Sequence, residues 1–115
     1  MTLSPRHLFL IAGVAFALLV FWPGTGDDRA DVRAMVGDSH VVLFSAEWCG
    51  YCDRLRDELK QSATPFAEFD IEQSSTGRRA WTQLGGRGVP LTLVGDDVIA
   101  GYQPGRIPAL ATAAR

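Results

Sequence analysis

Val41-Val42-Leu43-Phe44-Ser45-Ala46-Glu47-Trp48-Cys49-Gly50-Tyr51-Cys52 is the stretch that decides how this chain folds. It begins with four consecutive apolar residues led by the β-branched pair Val41-Val42, which suits a strand covered on both faces. It ends on the only two cysteines of the 115-residue chain, three positions apart. Beyond them, Cys52, Leu55 and Leu59 fall at i, i+3 and i+7, while Asp53, Arg54, Asp57, Glu58 and Lys60 point elsewhere. That spacing predicts an amphipathic helix with Cys52 on its inner stripe. A strand stopping just before Cys49 and a helix starting at it give one sulfur a strongly perturbed setting. The chain is therefore expected to carry out thiol chemistry.

Working outward, Phe66-Ala67-Glu68-Phe69-Asp70-Ile71 alternates apolar and polar after Pro65, as a second strand should. Ser75 or Thr76 is placed to cap a helix carrying Ala80, Trp81 and Leu84, with Gly85-Gly86 to end it. Leu91 to Val94 and Val98 to Ala100 read as short strands about the turn Gly95-Asp96-Asp97. Pro104 then opens a last helix through Ile107, Leu110 and Ala111. The expected order is β-α-β-α-β-β-α over residues 40–115. Residues 27–39, polar but with Val32, Met35 and Val36 at roughly helical spacing, read as a linker or short helix.

The first 26 residues differ in kind. Arg6 and His7 precede Leu8 to Trp22, fifteen residues without a charge, and Pro23-Gly24-Thr25-Gly26 follows. Such a run reads as a membrane-targeting segment rather than a core helix, because a globular surface helix shows polar residues on one face. Its basic flank stays cytoplasmic, so the domain is expected on the extracytoplasmic, periplasmic side. Residues 8–22 are read as a retained anchor, with a cleaved signal that releases a soluble domain as the alternative. From Asp27 onward ten basic residues face thirteen acidic ones, with no basic stripe and thus no case for nucleic acid.

The order of elements, Phe44 to Cys52, and the later Gly88-Val89-Pro90 together resemble the thioredoxin superfamily over about Val41 to Ala111. Ala46-Glu47-Trp48-Cys49-Gly50 looks like thioredoxin. Tyr51 before Cys52 and the short spacing from Cys52 to Pro90 look like glutaredoxin, and Gly101-Tyr102-Gln103-Pro104 with Ile107 like the glutaredoxin-like redoxins that serve ribonucleotide reductase. The resemblance implies an α/β, thioredoxin-like fold with a four-stranded mixed sheet flanked by helices, preceded here by the N-terminal hydrophobic helix. It implies a cis peptide before Pro90, facing Cys49. The backbone of Val89 would then be free to pair with an extended substrate, and metals would be kept from the thiolates. Gly101 and Tyr102 are carried over as substrate-binding residues.

The chemistry follows from the placement of the sulfurs. Unpaired N–H groups and the positive end of the helix dipole favour thiolate at Cys49, lowering such a pKa from about 8.5 to roughly 3.5–7.5. Cys49 would attack a substrate disulfide, and Cys52 would attack the Cys49 sulfur to release reduced substrate. Gly50 and Tyr51 set the turn between them, and Trp48 and Tyr51 rim the sulfur. A passive disulfide is the other reading of the pair, but a bridge closing so short a loop contributes little stability. His40 has no partner at metal spacing, Trp81 reads as core, and no metal site is expected.

Two positions depart from the resemblance. Leu43 stands where thioredoxins bury an aspartate, which leaves water or Glu47 to take the Cys52 proton. Gly101-Tyr102-Gln103-Pro104 stands where glutathione-binding glutaredoxins have Gly-Gly and an acidic or hydroxyl group. The expected function is a thiol-disulfide oxidoreductase acting on protein disulfides outside the cytoplasm with a redox-protein partner. It needs no bound cofactor, and glutathione is only a secondary candidate for reductant. An iron–sulfur cluster carrier and a non-catalytic interaction module are the alternatives, although two cysteines cannot supply a Cys₄ site in a monomer.

Overall fold

The computed structural model describes residues 4–20 and 28–113. Its elements run α1 (Pro5–Val20), α2 (Asp28–Val36), β1 (Val41–Ser45), α3 (Gly50–Gln61), β2 (Ala67–Asp70), α4 (Ser75–Gln83), β3 (Leu91–Val94), β4 (Asp97–Ala100) and α5 (Arg106–Ala113). The four strands form one mixed sheet in the order β2-β1-β3-β4. β1 pairs parallel with β2 and antiparallel with β3, and β3 pairs antiparallel with β4. From β1 onward the order is the one the apolar periodicity predicts.

The apolar run of β1 is explained by helices on both faces. Val42 and Phe44 join Leu91, Leu93, Ile71 and Ala80 on one side, together with Val32 and Val36 from α2. Val41 and Leu43 lie on the other with Leu55 and Leu59 of α3 and Ile107 and Ala111 of α5. The segment read as a linker or short helix thus forms α2 and supplies core residues. Its Arg33 reaches the Gly95 carbonyl of the β3–β4 turn at 2.5 Å.

Local chemistry moves two boundaries. The cap of α4 is Ser74, one residue before the expected pair, and its Oγ accepts the Gly77 N–H at 3.0 Å. Helix α5 begins at Arg106 rather than Pro104, because Gly105 adopts φ +77°, outside the helical region.

The N-terminal hydrophobic run is helical over its described part. Helix α1 has 16 residues, about 24 Å at the rise of an α-helix, against roughly 30 Å of bilayer hydrocarbon. Among the described residues no helix is long and apolar enough to cross a membrane. Residues 21 and 22 of the expected anchor, and the rest of 21–26, lie outside the described residues.

One polar network ties the sheet to α3. Ser45 on β1 donates to Glu68 Oε2 of β2 at 2.9 Å, and Arg56 of α3 grips both Glu68 oxygens at 2.7 Å. Arg56, then Ser45, hold the Glu68 carboxyl below its ordinary range, against a desolvation that pushes it up. A depressed folded-state pKa gives stability that is full above the ordinary glutamate value of 4.5 and lost as pH falls through the folded value. Urea midpoints measured downward from neutral pH should therefore fall more steeply in the native chain than in Glu68→Gln. The difference should be modest because the pair is partly exposed, and parallel curves would remove Glu68 from the acid response.

Candidate active site

Cys49 is the N-cap residue of α3 and Cys52 lies one turn inside it. Their Cα atoms are 5.2 Å apart and the sulfurs are bonded. The Cys52 N–H donates to the Cys49 sulfur at 3.1 Å, so a backbone group left unpaired by the helix start is aimed at the first cysteine. Exposure separates the two sulfurs' roles. Cys49 retains 5% of its surface at the edge of the domain and Cys52 retains none. Of the two, Cys49 is the one that keeps any surface open to another molecule.

Around this pair the fold gathers residues from distant parts of the chain. Half-buried Val89 packs against Ala46, Cys49 and Cys52. The Val89–Pro90 peptide is cis, and the Pro90 carbonyl accepts the Gly101 N–H at 2.8 Å. Gly101 holds φ +77°, a conformation that favours glycine. A groove of about 220 Å³ runs beside this segment, lined by Arg87, Gly88, Val89, Pro90, Ala100 and Gly101 among others. Trp48 and Tyr51 are 70% and 57% exposed on either side of Cys49 in sequence, an unusual position for large apolar side chains. Each is held by a partner. The Trp48 indole donates to Glu72 at 2.5 Å. Tyr51 stacks on Tyr102 with ring centroids 5.6 Å apart, and the Arg54 guanidinium lies 5.4 Å from the Tyr51 ring centre. Gly50 has open space where a Cβ would stand, so packing does not demand glycine there.

A strand that leads through a short turn, Ala46-Glu47-Trp48, into a cysteine N-cap, with a second cysteine one turn on and Val89 packed against both, is a dithiol site. The glutaredoxin family model matches residues 41–99, more than half of the chain. The chain belongs to the glutaredoxin family. A curated relative, Glutaredoxin-C2 of Arabidopsis thaliana, is 33% identical over 75 residues, a match covering 60% of this chain and 66% of that protein. The chain thus spans just under two thirds of that relative's length. Wheat glutaredoxin superposes with a TM-score of 0.60 at 23% identity, covering 80% of this chain and 95% of that one. A buckwheat glutaredoxin–glutathione complex gives 0.58 at 23% identity, covering 77% and 94%. At these identities the structural likeness establishes the fold.

Membership in this family and the paired cysteines are consistent with a thiol-disulfide oxidoreductase. Two features of this glutaredoxin-family chain stand out beside the dithiol. Leu43 is fully buried, so β1 carries no internal carboxylate. Glu68 lies opposite Leu43 in register, and Arg56 holds its carboxyl below the ordinary range. In the β4–α5 turn Gln103 is turned onto its own segment, donating to the Ala100 carbonyl at 3.0 Å and accepting from Arg106. Among the described residues no group of three His, Cys, Asp or Glu side chains is placed to hold a metal ion.

Trp81 has a role beyond the core. Its indole N–H donates to the Gly88 carbonyl at 3.0 Å, fixing the residue just before Val89, and its ring lies against Gly86. The signal was present in the sequence as Gly85-Gly86 following an indole by a few residues, but a composition reading assigns those glycines only to a helix stop. A Cβ at Gly86 would stand closer to the rigid Trp81 ring than real Cβ atoms come. Gly86→Ala should therefore cost about 1–3 kcal/mol of stability, the usual range for overpacking. It should also lower kcat/KM on a protein disulfide as Gly88 loses its anchor. Urea melts with steady-state kinetics check this, and an unchanged kcat/KM would leave Trp81 a purely structural residue.

Proposed function

We propose that this chain reduces or exchanges protein disulfides outside the cytoplasm through the Cys49/Cys52 dithiol, attached to or exported through a membrane by its N-terminal segment. The observation that carries the chemistry is the Cys52 N–H aimed at the sulfur of a cysteine N-cap, with Cys52 itself fully buried. In the reduced form the helix start favours thiolate at Cys49. That thiolate attacks one sulfur of the substrate disulfide, and the other substrate sulfur leaves and takes up a proton. Cys52, deprotonated, then attacks Cys49, releasing the second substrate thiol and forming the intramolecular disulfide. The two electrons given to the substrate come from the dithiol, and a partner redox protein must restore them.

Protein substrates fit the exposed Trp48 and Tyr51, which offer apolar surface beside Cys49, and the free groove along Val89-Pro90. A redox protein suits the electron-donor role better than glutathione. The turn that would receive a tripeptide's charged end carries Gly101-Tyr102-Gln103-Pro104, with Gln103 tied to Ala100 and Arg106 and Tyr102 stacked on Tyr51. No resident cofactor enters the reaction.

Location rests on the N-terminal segment. Phe9, Leu10, Ile11 and Val14 of α1 are 59–80% exposed, and Arg6 precedes them. Cells expressing the full chain, fractionated after an alkaline wash and trapped with a thiol reagent, should retain it with membranes or release it only from the extracytoplasmic compartment. Recovery as a soluble cytoplasmic protein would overturn the location and leave the dithiol chemistry standing.

A further inference from the structure

Arg56 lies outside the dithiol site, yet it forms ion pairs with two carboxylates at once. Its Nε and Nη2 take the two oxygens of Glu68 at 2.7 Å each, and its Nη1 takes Asp53 Oδ1 at 2.7 Å. Ser45, at the end of β1, holds the same Glu68 at 2.9 Å. On α3, Cys49, Asp53 and Arg56 stand at i, i+4 and i+7, which places them along one stripe of the helix. The link is also direct through the backbone, because the Asp53 N–H donates to the Cys49 carbonyl at 3.3 Å.

We propose that Arg56 is a positioning residue for the dithiol, holding two carboxylates, Glu68 and Asp53, in place and partly neutralised near the helix turn that carries Cys49 and so setting how readily Cys49 ionises.

The physical argument is one of sign. Asp53 lies in the first turn of α3 and Glu68 lies under the same helix, so each carboxylate opposes a negative charge at Cys49. The single guanidinium offsets one of these two negative charges and, being delocalised and always charged, does so at every working pH. Lys60, also on α3, adds weakly to the positive side at Glu68. The remaining charged groups around the site are exposed: Glu47 before Cys49, Arg54 over Tyr51, Glu72 against Trp48 and Arg87 in the groove. Solvent screens those four and also Asp53, which is 61% exposed and therefore the weaker of the two carboxylates, whereas Glu68 and Arg56 are only about a quarter exposed. Seven residues of helix separate Cys49 from Arg56, about 10 Å of rise, close enough for a partly screened unit charge to act.

This inference rests on the dithiol reading of Cys49. Its test uses the full chain in reduced form and reads the rate of Cys49 alkylation by iodoacetamide against pH, which gives the thiol pKa without any substrate. Arg56→Gln should raise that pKa and slow alkylation, at a pH below the native titration midpoint, by roughly two- to fourfold, the size expected for one unit charge at this distance. Glu68→Gln, which loses the charge and keeps one acceptor oxygen for Arg56 in place of two, should move the pKa down by a similar factor. Asp53→Asn should also move it down, and it leaves the Arg56–Glu68 pair intact, so it still decides the matter if Arg56→Gln does not fold. Arg56→Lys should restore most of the native value. Shifts of opposite sign are what a merely structural bond would not give. If the three charge-removing variants all shift the pKa the same way, or none shifts it, the balancing role is overturned. Insulin reduction by the native chain, run alongside, reports separately on the functional reading.

Discussion

Cys49→Ser should abolish disulfide reduction, lowering turnover by on the order of a thousandfold or more, while leaving the fold and its melting behaviour close to native. A serine hydroxyl at the N-cap can still accept the Cys52 N–H, so the helix keeps its cap. What it cannot do is ionise near neutral pH or bond covalently to a sulfur, and the reaction needs both. Cys52→Ser should behave differently. The first attack survives because Cys49 keeps its place at the helix start, but resolution is lost, and the chain should accumulate as a mixed disulfide with its substrate. Non-reducing electrophoresis with mass analysis of the Cys52→Ser chain reads this directly. Full insulin reductase activity in Cys49→Ser would refute the assignment of the nucleophile.

The contrast between these two cysteines was already legible in the sequence, because it depends on local order. A four-residue apolar run, a cysteine and an i, i+3, i+7 stripe are enough to place one sulfur at a helix start and the other inside it. The same holds for the four strands, set off by Pro65, Gly85-Gly86 and Gly95-Asp96, whereas their pairing into one mixed sheet was implied by the family resemblance and not by local order. Longer-range partners were not legible. Trp81 looks like any core indole until the Gly88 carbonyl is found beneath its N–H, and Tyr51 meets Tyr102 only because the β4–α5 turn folds back to the start of α3. Glu68 reads as the outward residue of an alternating strand, yet the strand's register brings it beside Leu43, where Arg56 and Ser45 close on it. The length of α1 follows another logic. An uncharged run shows that a segment avoids water, and its described part forms a helix of 16 residues, with no helix among the described residues long and apolar enough to cross a membrane.

Phe44→Ala is expected to cost about 3–5 kcal/mol, the range for deleting a fully buried aromatic ring. For a domain whose total stability is of order 5–15 kcal/mol, that is enough to leave a sizeable unfolded fraction. The ring is fully buried, is the largest of the side chains with no exposure, and stacks on Phe69 with centroids 6.2 Å apart. Collapse into the space is hindered on the α4 side. Gly77 of α4 already approaches Phe69 so closely that even a Cβ there would meet the Phe69 Cβ at 2.7 Å, which marks backbone against side chain with no slack between them. The effect should extend to the dithiol. Phe44 is the penultimate residue of β1, and the carbonyl of Ala46 just beyond the strand accepts the Cys49 N–H at 3.1 Å. Loosening the end of β1 therefore frees the start of α3, and Cys52, which has no exposed surface in the native fold, becomes open to alkylation in the reduced chain. Urea unfolding gives the stability loss and timed alkylation of Cys52 gives the local opening. The half-buried Val98→Ala serves as the comparison, expected to lose clearly less. Equal losses in the two variants would mean that the core is not centred on β1.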